Sequence, residues 1–115
     1  MIFTETKLAG AYIIDIKKIK DERGFFSRAF CANEFREYGL NPTVAQCNLS
    51  LSKQKHTLRG FHYQVEGAEE AKTVRCIRGS ILDVIIDLRK ESPTYCQHVA
   101  VELSAENHRA LYVPE

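Results

Sequence analysis

The stretch Ser80-Ile81-Leu82-Asp83-Val84-Ile85-Ile86-Asp87-Leu88 has a clear period of two. Apolar side chains take every second position from Leu82 to Leu88, and Asp83 and Asp87 share the opposite side with Ile85. This period is that of an extended backbone whose two faces differ in polarity. We therefore predict a strand over residues Ser80–Leu88.

The flanking sequence predicts an antiparallel arrangement. Gly79 supplies a tight turn between this strand and an earlier one, Ala71–Arg78. Glu91–Thr94 is a turn sequence, and Gln97–Leu103 alternates again. Further strands are predicted by β-branched and aromatic content at Ala11–Ile16, Thr43–Leu51, Thr57–Gln64 and Leu111–Val113.

One short helix is predicted. Asn33 is a suitable N-cap and Gly39 lies where a left-handed residue ends a helix, so Asn33–Tyr38 should be helical. Ser104–Asn107 resembles a single capped turn. Six or so short strands with tight turns and one helix predict an all-β fold, an antiparallel sandwich or barrel.

Composition narrows the class of protein. The 115 residues fit one domain, 1–115, and 16 Lys and Arg balance 15 Asp and Glu, which predicts no general attraction to nucleic acid or to an anionic membrane. The first ten residues lack the apolar run of a signal peptide and no stretch is long enough to span a membrane, so we expect a cytoplasmic protein. Four isolated cysteines, without a Cys-x-x-Cys pair, are expected to be reduced packing residues: Cys31, Cys47, Cys76 and Cys96.

The stretch Leu58-Arg59-Gly60-Phe61-His62-Tyr63-Gln64 sets polar groups among strand-forming residues. Together with Lys72 it provides an imidazole and two cations, which suggests a site for an anion and a proton transfer. Arg59 and His62 would face opposite sides of a regular strand unless Gly60 marks a bulge or twist. The alternative is that His62 is a structural residue and that Arg59 and Lys72 are solubilising charges at a strand edge.

The same region resembles in outline the metal-binding pattern of cupins, with His62-Tyr63-Gln64 at the His-x-His position and Lys72 seven residues before Gly79. Two metal ligands are replaced. Gln64 is a poorer ligand than imidazole, and Lys72 would repel a cation. We therefore expect no metal.

Several motifs together resemble the dTDP-4-dehydrorhamnose 3,5-epimerase family from about residue 11 to the end of the sequence. They are Asp21-Glu22-Arg23-Gly24-Phe25-Phe26, Gln46-Cys47-Asn48-Leu49-Ser50, Leu58-Arg59-Gly60-Phe61-His62-Tyr63-Gln64, Lys72-Thr73-Val74-Arg75, Asp83-Val84-Ile85-Ile86-Asp87-Leu88-Arg89, Ser92-Pro93-Thr94, Leu103-Ser104-Ala105-Glu106-Asn107 and Leu111-Tyr112-Val113-Pro114-Glu115. The resemblance implies a cupin-type antiparallel β-sandwich or jelly roll that uses neither metal nor cofactor. It also implies a dTDP-linked keto-deoxysugar as substrate, and we expect a homodimer.

The resemblance implies roles for individual residues. His62 would be the general base that removes protons next to the sugar's keto group, and Lys72 would stabilise the enolate. Arg59 and, from a loop or a neighbouring subunit, Arg23 would hold the diphosphate. The nucleotide would be contacted by Gln46, by the backbone of Cys47 and by Asn48. Phe26 would pack beside the base or the ribose of the nucleotide. Gln46 and Asn48 could instead only satisfy backbone groups, and Phe26 could belong to the core or a dimer contact.

Two departures from the family pattern affect the predicted activity. Arg28 stands where the family has a glutamate implied in substrate binding. After the position of Glu115 the family continues with Gly-Phe-Ala-His-Gly-Phe, a proton-returning tyrosine and an aspartate that orients the base. We therefore expect a domain incomplete at its C-terminus, either an incomplete chain or a shortened relative, with the chemistry of an epimerase acting at C3 and/or C5. If these 115 residues are the whole protein, epimerisation should be crippled, whereas enolisation and hydrogen exchange could survive. The alternatives are a 3,4-ketoisomerase and a non-catalytic nucleotide-sugar-binding module.

Overall fold

The structure is a computed structural model that describes residues 1–115. It contains eight short strands and one helix. In chain order these are β1 (Ile2–Glu5), β2 (Tyr12–Asp15), β3 (Ile19–Asp21), β4 (Gly24–Phe26), α1 (Ala32–Glu37), β5 (Lys72–Arg75), β6 (Ser80–Ile86), β7 (His98–Ser104) and β8 (Ala110–Val113).

The central sheet has four antiparallel strands in the order β1-β2-β8-β5. Leu111 of β8 lies between Ile13 of β2 and Val74 of β5. The other two strand pairs, β3–β4 and β6–β7, form separate two-stranded antiparallel sheets. β8 is thus an inner strand, and β5 is an edge strand of the central sheet.

The inner strands β2 and β8 are packed on both faces of the central sheet, because successive side chains point to opposite sides and most of those in both sets are apolar. One face packs against the helix through five buried residues, Ile14, Phe35, Leu40, Ala110 and Tyr112. The other packs against β7 through Cys76, Val101, Leu103 and Leu111. Full burial of a large aliphatic side chain of this kind contributes about 1.5–3 kcal/mol.

The β6–β7 hairpin turns its aspartate-bearing face toward the central sheet. Asp83 lies opposite Val101 in the register, and cross-strand neighbours share a face. Val101 belongs to the core, whereas Leu82 on the other face of β6 is 69% exposed. The predicted strand is confirmed, and the structure shows that Asp83, not the leucine beside it, faces the interior.

Two predicted strands, Thr43–Leu51 and Thr57–Gln64, are wrong: both stretches have no regular secondary structure. Their β-branched and aromatic residues satisfy the composition of a strand, but a strand also needs a hydrogen-bonded neighbour. No neighbouring strand pairs with either stretch. Their apolar side chains are accordingly exposed, with Leu49 at 85% and Leu58 at 92%.

The predicted helix is present but its N-cap is wrong. The helix begins at Ala32 after an extended Cys31, which makes no side-chain capping bond. Asn33 lies inside the helix and accepts a hydrogen bond from Arg36 Nη1 at 2.9 Å. At the other end Gly39 has φ +70°, as predicted for the residue that terminates the helix.

The predicted fold class is confirmed, since the molecule is almost entirely antiparallel β-structure with one short helix. Strand β1 was not predicted from the sequence, and it pairs with β2 from Ile2 opposite Asp15 to Glu5 opposite Tyr12. The predicted turn after β7 is also present: Ser104 Oγ accepts the Asn107 backbone N–H at 3.1 Å. The structure contains no helix that is long and apolar enough to cross a membrane.

Candidate active site

A cavity of about 920 Å³ contains three of the eight residues predicted to form the site, Arg59, His62 and Lys72. Its walls come from residues 59–66, from β5 and β8 of the central sheet, and from β6. The core-facing Asp83 also lines it. The cavity thus lies where the sheet, the β6–β7 hairpin and the irregular segment meet.

Lys72 points into this cavity because of its position in β5. It lies opposite Val113, and Val74 on the same side of the strand lies opposite Leu111 in the core. All three of Lys72, Val74 and Val113 line the cavity. The Lys72 ammonium lies 2.9 Å from Glu70 Oε1.

Gly60 explains how Arg59 and His62 reach the same space despite their odd spacing. Its φ of +103° breaks the alternation of a strand, and a side chain there would place a Cβ 3.3 Å from the His62 backbone nitrogen. The stretch is therefore not a strand whose residues face opposite sides. His62 itself is exposed to solvent at the cavity.

Arg59 is held by the chain just before it. Its Nε donates to Ser52 Oγ at 3.2 Å and its Nη2 to the Leu51 carbonyl at 2.9 Å. These two bonds fix the plane of the guanidinium at the wall of the cavity. A planar, permanently charged group of this kind suits phosphate oxygens.

Arg23 and Phe26 lie elsewhere, on the β3–β4 hairpin, where with Asp21 and Phe25 they line a second hollow of about 250 Å³. Arg23 Nη2 donates to Asp21 Oδ2 at 2.6 Å, and the Arg23 backbone N–H donates to Asp21 Oδ1 at 2.9 Å. The Arg23 side chain and backbone bonds hold the pKa of Asp21 below its ordinary value. Asp21 therefore competes for the guanidinium with any phosphate.

The remaining predicted contacts, Gln46, Cys47 and Asn48, are exposed and line neither cavity. Arg28, the position that departs from the family pattern, pairs with Glu34 at 2.6 Å. That carboxylate also accepts the N-terminal amine. The reversed charge at position 28 thus has a local partner at the start of the helix.

Sequence reasoning missed Glu70. One of its carboxylate oxygens, Oε1, lies 2.9 Å both from Lys72 Nζ and from Gln64 Nε2, which donates to it. The bonds from Lys72 and then from Gln64 hold the pKa of Glu70 below its ordinary value. The Glu-x-Lys spacing could have predicted this contact, because residues two apart on an extended chain lie on the same side.

Two aspartates also line the cavity, Asp83 within β6 and Asp87 just after its last residue. Their carboxylates differ in hydrogen bonding and in the direction of their pKa shifts. Asp83 has an enclosed oxygen without a hydrogen-bond partner, and burial raises the pKa of its carboxyl group. Asp87 accepts bonds from Arg89 Nε at 2.8 Å, Ser92 Oγ at 2.6 Å and Thr94 Oγ1 at 2.7 Å. The Arg89 side chain, followed by the two hydroxyls, holds the pKa of Asp87 far below its ordinary value.

The metal-binding residue types do not converge in this cavity or elsewhere: the structure contains no group of three or more His, Cys, Asp or Glu side chains placed to hold a metal ion. What the cavity does bring together is a basic imidazole, an ammonium and a guanidinium. The antiparallel β-fold with one short helix, shared with solved relatives, is of the cupin type.

Comparison with known proteins identifies the family. The family model of dTDP-4-dehydrorhamnose 3,5-epimerase matches residues 5–115. The chain is 45% identical over 116 residues to the curated enzyme of that name from Salmonella typhimurium, covering all of this chain and 63% of the relative. The chain therefore belongs to the dTDP-4-dehydrorhamnose 3,5-epimerase family.

Comparison with solved structures supports the same family assignment. The dTDP-4-dehydrorhamnose 3,5-epimerase of Elizabethkingia anophelis superposes with a TM-score of 0.95 at 40% identity, covering 100% of this chain and 63% of its own. The dTDP-6-deoxy-D-glucose-3,5-epimerase of Legionella pneumophila, solved with dTDP-4-keto-L-rhamnose, gives 0.89 at 39% identity, with 99% and 60% covered. The chain thus spans a little under two thirds of the length of these relatives.

Proposed function

We propose that this chain binds a dTDP-linked 4-keto-6-deoxy sugar and removes a proton from a carbon next to the keto group, as the first half of an epimerisation at C3 and/or C5. The observation that carries the proposal is the shared cavity of His62, Lys72 and Arg59 in a member of this family. The sugar bound by the Legionella relative supports the choice of ligand.

His62 is the proposed general base. Its ring nitrogen takes the proton of the C–H bond, the bonding electrons form the C=C bond of an enolate, and the keto oxygen takes the negative charge. Imidazole is suited to this step because it is basic near neutral pH. Return of a proton to the opposite face inverts the carbon, whereas return to the same face gives only hydrogen exchange.

Lys72 is the proposed stabiliser of the enolate oxygen. Its position at the start of β5 directs its side chain into the cavity, so that a positive charge is present there before the enolate forms. Arg59 is the proposed diphosphate ligand at the same cavity. Arg23, Phe26, Gln46, Cys47 and Asn48 remain proposed nucleotide contacts, and Arg23 would have to exchange Asp21 for phosphate.

The test is solvent exchange. The chain is incubated in D₂O with dTDP-4-keto-6-deoxyglucose, and deuterium at C3 and C5 is followed by NMR. We expect His62→Ala to slow incorporation by about 10²- to 10⁴-fold and Lys72→Met by about 10²-fold. His98→Ala is the matched control, because His98 is an exposed histidine of β7 outside the cavity. Undiminished exchange in His62→Ala would refute the proposal.

The same experiment separates the two alternatives. A 3,4-ketoisomerase forms the same enolate but moves the carbonyl from C4 to C3, which the carbon spectrum of the product reveals. A binding module is stabilised against heat by thymidine diphosphate but incorporates no deuterium.

We also propose a cytoplasmic homodimer. Two aromatic side chains of β4 support it, since Phe25 is 45% and Phe26 73% exposed, and exposed aromatic residues on a strand favour association. Light scattering of the purified chain should give twice the 13.1 kDa monomer mass. A monomer at all concentrations would contradict the proposal, and cell fractionation tests the location.

A further inference from the structure

Glu70 occupies a distinctive place in the cavity. One of its two carboxylate oxygens, Oε1, contacts both the Lys72 ammonium and the Gln64 amide nitrogen, each at 2.9 Å. Gln64 belongs to the irregular segment that carries His62, whereas Lys72 belongs to β5. Glu70 therefore joins the segment of the proposed base to the strand of the proposed enolate stabiliser.

The charge of this contact matters as much as its geometry. Lys72 is the only lysine that lines the cavity, and its one carboxylate partner within 4 Å is Glu70. Both side chains are partly exposed, 43% for Lys72 and 37% for Glu70, so the pair can exchange partners with a ligand. A pair at this exposure is weak enough for a strongly anionic ligand to break.

We propose that Glu70 is a positioning residue that holds Lys72 and shields its charge in the ligand-free cavity, and that an anionic ligand displaces this carboxylate from the ammonium. This inference rests on the proposed function, because it takes the ligand to be a nucleoside diphosphate sugar. On ligand binding, the Lys72 ammonium would thereby exchange the Glu70 carboxylate for the anionic ligand.

The other charged groups that line the cavity are Arg59, Glu66, Glu69, Asp83, Glu115 and the Asp87–Arg89 pair. Glu69 is the most useful of these for comparison. It is adjacent in sequence and carries the same charge at the same cavity, but its Oε2 accepts the Gly67 backbone N–H at 2.9 Å and it makes no ion pair. Removing its charge changes the net charge of the cavity without releasing Lys72.

The test is a double-mutant cycle on binding of dTDP-4-keto-6-deoxyglucose, which carries the keto oxygen assigned to Lys72, measured by titration calorimetry at low salt. Glu70→Gln retains an oxygen acceptor for Gln64 but no longer neutralises Lys72, so we expect affinity to rise about two- to fivefold. Lys72→Met should weaken binding by a similar factor. In the Lys72→Met background, Glu70→Gln should have no more effect than Glu69→Gln has in the parent chain.

Several outcomes separate the inference from the proposed function. Equal effects of Glu70→Gln and Glu69→Gln in the parent chain would overturn the inference, because net charge alone would then explain them. So would an undiminished effect of Glu70→Gln without Lys72. Absence of dTDP-4-keto-6-deoxyglucose binding to the parent chain would overturn both, whereas His62-dependent exchange without coupling between Glu70 and Lys72 would overturn only the role of Glu70. Circular dichroism confirms that each variant is folded.

Discussion

Replacement of Asp87 by alanine should lower the free energy of unfolding more than most substitutions outside the hydrophobic core. The Asp87 side chain is 1% exposed, and its two oxygens accept bonds from Arg89, Ser92 and Thr94. Arg89 also donates through Nη2 to the Ala9 carbonyl at 3.0 Å, 80 residues away along the chain. The carboxylate therefore fixes both the end of β6 and its connection to the N-terminal part.

The magnitude follows from these contacts. Removing one partner of a buried ion pair costs about 3–5 kcal/mol, because the other charge remains with its hydrogen bonds unmade. Arg89 is more exposed than Asp87, with 41% of its side chain accessible, so water can replace part of the loss. We therefore expect Asp87→Ala to reduce the free energy of unfolding by about 2–4 kcal/mol at pH 7.

The pH dependence gives a second measurement. Because the folded-state pKa of Asp87 lies below its unfolded value of 3.8, the ionised carboxylate stabilises the fold above that pH and the contribution is lost as the pH falls through the folded-state value. Urea unfolding of the parent chain and of Asp87→Ala should thus converge as the pH is lowered from 5. The control is Glu91→Ala, an exposed acid of the same loop.

A loss below 1 kcal/mol at pH 7, or an equal difference between the two chains at pH 7 and pH 3, would refute the reasoning. The first result would mean that solvent or Arg89 compensates fully for the missing carboxylate. The second would mean that the charge of Asp87 contributes nothing.

Two further predictions concern the cavity. Asp83→Asn should raise the free energy of unfolding by about 1 kcal/mol at pH 7, because it removes the charge of a half-buried carboxylate whose enclosed oxygen has no hydrogen-bond partner. Burial raises the pKa of Asp83 in the folded chain, so the stability of the parent chain should fall as the pH rises above 3.8, and urea unfolding at pH 4 and 7 should show no such fall in the variant. Gly60→Ala should cost about 1–2 kcal/mol and slow deuterium exchange more than Gly67→Ala does, because both glycines have positive φ but only at Gly60 would a Cβ crowd the backbone of His62. Equal exchange rates in the two glycine variants would contradict this.

Composition and alternation predicted five of the strands, β2, β5, β6, β7 and β8, whether the partner strand is close in the chain, as for β6 and β7, or far from it, as for β2 and β8. β6 and β7 are joined by a turn and pair along their whole length, so their pattern and their partner agree. Thr43–Leu51 and Thr57–Gln64 have the same composition without a partner strand. Local preference records what a residue can adopt, whereas a sheet depends on hydrogen bonds to a second segment.

The site was predictable only in part for a similar reason. The residue types at 59, 62 and 72 indicated an anion and a proton transfer, but their spacing did not show that they share one cavity, because Gly60 departs from strand geometry. Alternation in β6 likewise did not show which face is interior. Only the packing of Val101 and its pairing with Asp83 determine that.

The position of β8 has a consequence for synthesis on the ribosome. β8 separates β2 from β5 in the sheet, yet it follows both in the chain. At about 5–20 residues per second, translation from Arg75 to Ala110 takes roughly 2–7 s. During that interval β2 and β5 have been synthesised, but β8, which lies between them in the sheet, has not. The four-stranded sheet therefore cannot form strand by strand during translation and must form in one late step.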